Sequence, residues 1–83
     1  MFYEVAVPKF AEGARQITLK QWLCHKGDKV DAGMHIAEAA TDKIAIYIEA
    51  PSTGYVSELR VEDGQRVKVG QVIAVLSSEP EGN

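Results

Sequence analysis

Apolar positions along the chain fall in short alternating runs. Ile44, Ile46 and Ile48 alternate with Ala45, Tyr47 and Glu49, the period of a strand with one face buried. Ile17, Leu19 and Leu23 alternate with Thr18, Lys20 and Trp22, while Val72 to Leu76 is apolar on both faces. Phe2 to Val7 reads as a first strand stopped by Pro8, and Ile36 to Ala40 and Tyr55 to Val61 as two more. No long segment carries the 3.6-residue period of an amphipathic helix. Gly13, Gly27, Gly33, Gly54, Gly64 and Gly70 punctuate the chain at short spacing. Many short strands separated by turns predict an all-β fold, a sandwich or flattened barrel.

The pattern also repeats. Residues Gly27 to Ala37 (GDKVDAGMHIA) align with Gly64 to Ala74 (GQRVKVGQVIA) at an offset of 37 residues, with five identities in eleven positions. Ordinary residue usage gives about one. Upstream, Thr18, Leu19, Trp22 and Cys24 face Tyr55, Val56, Leu59 and Val61. Two copies are too few for a solenoid, so the expectation is two similar halves that bury a common core about a pseudo-twofold axis. The domain is expected over residues 1–77, with the polar stretch 78–83 as the start of a flexible linker.

Composition narrows the classes of function. The 83 residues make one small domain, 46% hydrophobic and 25% charged, which is ordinary for a folded chain. Nine Lys plus Arg against twelve Asp plus Glu give a net charge of −3, without the basic footprint of a nucleic-acid binder. Nothing approaches the roughly 18 consecutive apolar residues of a membrane span, so neither a nucleic-acid nor a membrane partner is expected. The single cysteine, Cys24, cannot form an internal disulfide and fits a reducing compartment. The first residues lack a basic stretch followed by an apolar run, and a cytoplasmic location is expected.

Candidate chemistry is sparse. His25 and His35 stand on separate segments with no metal-ligand spacing, and Trp22 and Cys24 read as packing residues. The exception is Thr41-Asp42-Lys43-Ile44, which joins two predicted strands closely enough to form a tight hairpin with Lys43 at or beside its tip. Taken alone, Lys43 is a solvated turn lysine. Under the 37-residue offset, however, Asp42 and Lys43 correspond to Glu79 and Pro80, where the chain leaves the domain. A twofold relation would then put the hairpin tip and the chain exit at opposite ends, with the lysine far from the tether.

The sequence resembles the lipoyl domains of 2-oxo acid dehydrogenase complexes, members of the biotinyl/lipoyl carrier family, from about Tyr3 to Leu76. Thr41-Asp42-Lys43 stands where that family carries its modified lysine in an Asp-Lys-Ala motif. Val7-Pro8-Lys9-Phe10, Glu12-Gly13, Lys20-Gln21-Trp22-Leu23, Lys26-Gly27-Asp28-Lys29-Val30 and Glu49-Ala50-Pro51 with Gly54 match in register. Gly27 lies 16 residues before Lys43 and Gly54 lies 11 after it, as in the family. Ile44 replaces the usual small residue after the lysine, Ala40 stands where many members have Glu, and Ala11 and Ile17 replace frequent glycines.

The resemblance implies a barrel-sandwich fold and a non-catalytic carrier within a dihydrolipoamide acyltransferase. It implies lipoic acid joined by an amide to Lys43 through a lipoate ligase, with Asp42 and Ile44 acting in the ligase's choice of substrate. The implied partners are a thiamine-diphosphate-dependent 2-oxo acid decarboxylase that loads the acyl group, an acyltransferase core that passes it to coenzyme A, and a dihydrolipoyl dehydrogenase. In the family the first loop lies beside the lysine hairpin, so residues 9–16 are expected to select the partner, with Glu12 and Arg15 as the candidates. As solvated loop charges, Glu12 and Arg15 are equally well explained.

Two other classes stay open: a biotinyl carrier or unmodified interaction module of the same fold, and an unrelated small enzyme or β-barrel binder. Biotinyl carriers flank their lysine with methionines, whereas a carboxylate at Asp42 would be costly to bury unpaired in an apolar ligase pocket.

Overall fold

A computed structural model describes residues 1–9 and 16–80, which form eight strands and no helix. They are β1 (Phe2–Ala6), β2 (Ile17–Trp22), β3 (Lys29–Val30), β4 (His35–Ala40), β5 (Ala45–Glu49), β6 (Gly54–Leu59), β7 (Arg66–Val67) and β8 (Val72–Ser77). Two antiparallel four-stranded sheets result, in the orders β1-β8-β6-β3 and β5-β4-β2-β7. The sheets remain separate, so the expected sandwich is the form adopted and the strands do not close into a barrel. Leu19, Ile36, Ile48, Ile73 and Leu76 fill the space between them. β8, predicted to be apolar on both faces, lies between β1 and β6 and is buried along most of its length.

The halves are related as the repeat predicts. Exchanging β1 to β4 with β5 to β8 converts one strand order into the other. β2, β3 and β4 map onto β6, β7 and β8 at the offset of 37, while β1 maps onto β5 at 43, because the first connection is longer than the one at residues 50–53. Hydrogen bonds obey the exchange: the Gly27 amide donates to the Val56 carbonyl at 2.7 Å, and the Gly64 amide donates to the Leu19 carbonyl at 2.6 Å. Gly27 and Gly64 hold φ values of 93° and 86°, in the left-handed region where a Cβ is strained. Each half therefore places its turn against a strand of the other.

Bulges obey the exchange too. Lys20 is the extra residue where β2 pairs β4, and Ser57 where β6 pairs β8. Ile36 is extra on β4, and Ile73 on β8. A bulge shifts the alternation by one residue. It lets neighbouring Ile36 and Ala37 both face the core, as Ile73 and Ala74 do in the other half. It also corrects the simple alternation expected of β2: after Lys20 the phase reverses, so Trp22 turns toward the core and Leu23 is exposed. The indole Nε1–H of Trp22 then donates to the Val61 carbonyl at 2.9 Å, so the ring is both packed and satisfied. Cys24 is buried, as its pairing with Val61 in the repeat predicts.

Candidate functional site: the Lys43 hairpin

β4 and β5 stay paired up to Ala40 opposite Ala45, leaving residues 41–44 as the connection. The Thr41 amide donates to the Ile44 carbonyl at 2.8 Å and closes the turn. Two-residue hairpins usually adopt primed turns, which need positive φ and favour Asn or Gly. Among the described residues no non-glycine has positive φ, so Asp42 and Lys43 occupy a turn of ordinary handedness. The side chain of Thr41 makes up the pairing: its Oγ1 accepts the Lys43 and Ile44 amides, each at 3.2 Å.

Asp42, Lys43 and Ile44 are all exposed. Among the described residues Lys43 has no ion-pair partner. The tip is therefore an accessible primary amine beside one carboxylate and one apolar side chain. Burial rises along β5 away from it, from exposed Ile44 through half-buried Ile46 to Ile48 at 2% exposure. That gradient anchors a protruding turn in the core. On the outer face of the same strand, Tyr47 stacks on His35 with ring centroids 4.7 Å apart and planes within 2°. His35 Nε2 also lies 3.7 Å from Glu49 Oε2.

Thr18 pairs with Ala40, so the end of the first connection, at Gln16 and Ile17, emerges beside the hairpin. An open cavity of about 320 Å³ lies there, lined by Gln16, Ile17, Arg66, Val67, Lys68 and Gln71. Glu12 and Arg15, the candidates for partner selection, lie outside the described residues. Across the pseudo-twofold, the counterpart of the hairpin is the meeting of the chain ends. There the Ser78 amide donates to the Met1 carbonyl at 2.9 Å, just as the Thr41 amide donates to Ile44. The two belong to different sheets. Trp22 contacts Val61 and Asp63 where the far ends of β2 and β6 adjoin, so hairpin and chain ends both lie away from that junction.

Sequence reasoning singled out Lys43, Asp42 and Ile44, which lie together at the exposed turn, but gave no role to Thr41, whose signal is a hydroxyl two residues before a turn lysine. The other nucleophile, Cys24, is unsuited to chemistry: burial, helped by the Asp28 carboxylate, pushes its thiol up from 9.0 to about 11.

Comparison with known proteins agrees with the fold. A family profile described as "Biotin-requiring enzyme", for biotin and lipoyl domains, matches residues 3–76. The succinyltransferase component of the 2-oxoglutarate dehydrogenase complex of Staphylococcus saprophyticus is 41% identical over 80 residues, 96% of this chain and 19% of that one. The acetyltransferase component of the pyruvate dehydrogenase complex of Corynebacterium glutamicum is 33% identical over 81 residues, 98% of this chain and 12% of its own. The chain thus spans a fifth or less of these relatives. The lipoyl domain of the 2-oxoglutarate dehydrogenase complex of Azotobacter vinelandii superposes with a TM-score of 0.72 at 25% identity, covering 96% of this chain and 98% of that domain. With a family profile spanning nearly all its strands and a lipoyl domain matching it end to end, this chain belongs to the biotinyl/lipoyl domain family.

Proposed function

We propose that this chain is a lipoyl carrier domain of a 2-oxo acid dehydrogenase complex, with lipoic acid attached through an amide to Lys43. The observation that carries the reading is an exposed lysine without an ion-pair partner among the described residues, at the tip of a hairpin anchored in the core. Such an amine can enter the cleft of a modifying enzyme and, once acylated, extend a long arm into other active sites. Asp42 beside it favours a lipoate ligase over a biotin ligase, since an apolar pocket would have to bury the carboxylate unpaired. A bound lipoyl group supplies a dithiolane able to accept an acyl group together with a reducing pair.

The chain's own residues hold and deliver. Thr41 and the β4–β5 ladder fix the tip, and the rigid sandwich carries it as a unit. Residues 78–83 begin a linker that raises the effective concentration of the arm at each partner. The partners are a thiamine-diphosphate-dependent decarboxylase, an acyltransferase core and a dihydrolipoyl dehydrogenase, with residues 9–16 selecting among decarboxylases. The domain itself is a carrier without a reaction of its own.

Intact mass after incubation with lipoate, ATP and a lipoate ligase tests this reading. One lipoyl adduct is expected on the parent, mapped to Lys43, and none on Lys43→Arg, which should melt at the parent's temperature because Lys43 is exposed at the turn. No adduct on the parent, with the ligase active on a control domain, would overturn the proposal. Biotin transfer in a parallel arm would assign the chain to the other branch of its family.

A further inference from the structure

We infer that Thr41 is the positioning residue for modification of Lys43, acting through its hydroxyl and the main chain rather than by touching the incoming acyl group. The inference rests on the lipoyl-carrier reading above. In an ordinary two-residue hairpin, the residues flanking the turn exchange two main-chain hydrogen bonds. Here one is present, from the Thr41 amide to the Ile44 carbonyl at 2.8 Å. The return bond from the Ile44 amide goes to Thr41 Oγ1 at 3.2 Å instead. The same oxygen accepts the Lys43 amide at 3.2 Å, which ties the residue to be modified to the end of β4.

This substitution has a chemical reason. A primed turn would need positive φ at its central residues, an arrangement suited to Asn and Gly. The centre here is Asp42-Lys43, and neither adopts positive φ. A hydroxyl one bond beyond the Cβ of Thr41 reaches both amides of the tip, so a lysine can sit in the turn without left-handed strain. β-Branching adds to the effect, because Thr has few χ1 rotamers to lose and its hydroxyl is held in place. Thr41 is half-buried while Asp42, Lys43 and Ile44 are exposed, so the hydroxyl is the last fixed point before the mobile side chain.

Water can replace the hydroxyl at both exposed amides, so its loss should leave the fold intact while freeing the tip to sample other turns. A ligase that reads the lysine by position would then meet it in the productive place less often. Displacements of about 1 Å in such steps cost about a hundredfold in rate.

The test compares the parent, Thr41→Val and Thr41→Ser in three measurements: kcat/KM for lipoylation by a lipoate ligase, melting temperature, and the rate of Lys43 acetylation by a small N-hydroxysuccinimide ester. For Thr41→Val, about a tenfold to hundredfold loss in ligase kcat/KM is expected, with melting and chemical acetylation close to the parent. Thr41→Ser should recover most of the ligase rate. A Val variant modified as fast as the parent would overturn the inference. So would a Ser variant as poor as Val, or a ligase loss matched by equal losses in chemical acetylation or folding. If the ligase leaves the parent unmodified while acting on a control domain, the carrier reading fails, and the role of Thr41 fails with it.

Discussion

Gly54 opens β6 beside the end of β8. A Cβ added there would lie 2.5 Å from the Ser77 carbonyl oxygen and 3.3 Å from its carbon. Ordinary contacts begin near 3.4 Å, so Gly54→Ala forces the two main chains apart by about 0.9 Å at an atom that cannot rotate away. β8 is an inner strand, and Ser77 pairs with Phe2 on one side and Tyr55 on the other, so the displacement spreads into both ladders. Forced backbone shifts of this kind cost about 1–3 kcal/mol, while stiffening the unfolded chain returns about 0.4–1 kcal/mol. The net loss expected is about 1–2 kcal/mol, a large share of the roughly 4–12 kcal/mol available to a domain of this length. With a urea slope of about 1 kcal/mol per molar, the midpoint should fall by about 1–2 M. Trp22, the sole tryptophan and packed against the core, reports the transition by fluorescence. A midpoint within about 0.3 M of the parent's would refute the steric argument.

Two further outcomes follow from buried groups. Burial raises the Cys24 thiol from 9.0 to about 11, so the unfolded chain loses this proton first as the pH climbs. Stability present below pH 9 should then decline between about pH 9 and pH 11 by on the order of 1–3 kcal/mol. Thermal melts across that range should show the slope in the parent and lose it in Cys24→Val; equal slopes in both would defeat the assignment. Trp22→Phe keeps a ring in the core but removes the donor to the Val61 carbonyl. It should cost about 1 kcal/mol or more in a denaturant titration followed by circular dichroism, and a variant as stable as the parent would count against that hydrogen bond.

Much of this architecture was legible because period and repeat report directly on burial. The Ile44–Ile48 alternation marked β5, and the 37-residue repeat foretold two similar halves, a relation that also orders the hydrogen bonds of Gly27 and Gly64. Bulges were not legible: an extra residue at Lys20 or Ile36 leaves no compositional mark, yet it turns Trp22 inward and Leu23 outward. β3 and β7, two residues each, are too short to show a period at all. At the site, Lys43 could be placed on the tip from turn chemistry and strand lengths. The work of Thr41 could not, because which amides a hydroxyl accepts depends on torsions that sequence spacing does not specify.

The exchange of strands between halves has a consequence for how the chain is made. Among the described residues β1 pairs only with β8, β3 only with β6, β5 only with β4 and β7 only with β2, so four of the six strand pairings join one half to the other. The domain's first strand therefore waits for its last. At 5–20 residues per second, synthesis of 83 residues takes on the order of ten seconds. Once Glu49 has been added, β2, β4 and β5 can form a three-stranded meander, but the core residues from Ala50 to Leu76 have yet to be synthesised. The Lys43 turn can close inside that nascent meander, whereas the sandwich that anchors it is completed only when β8 arrives.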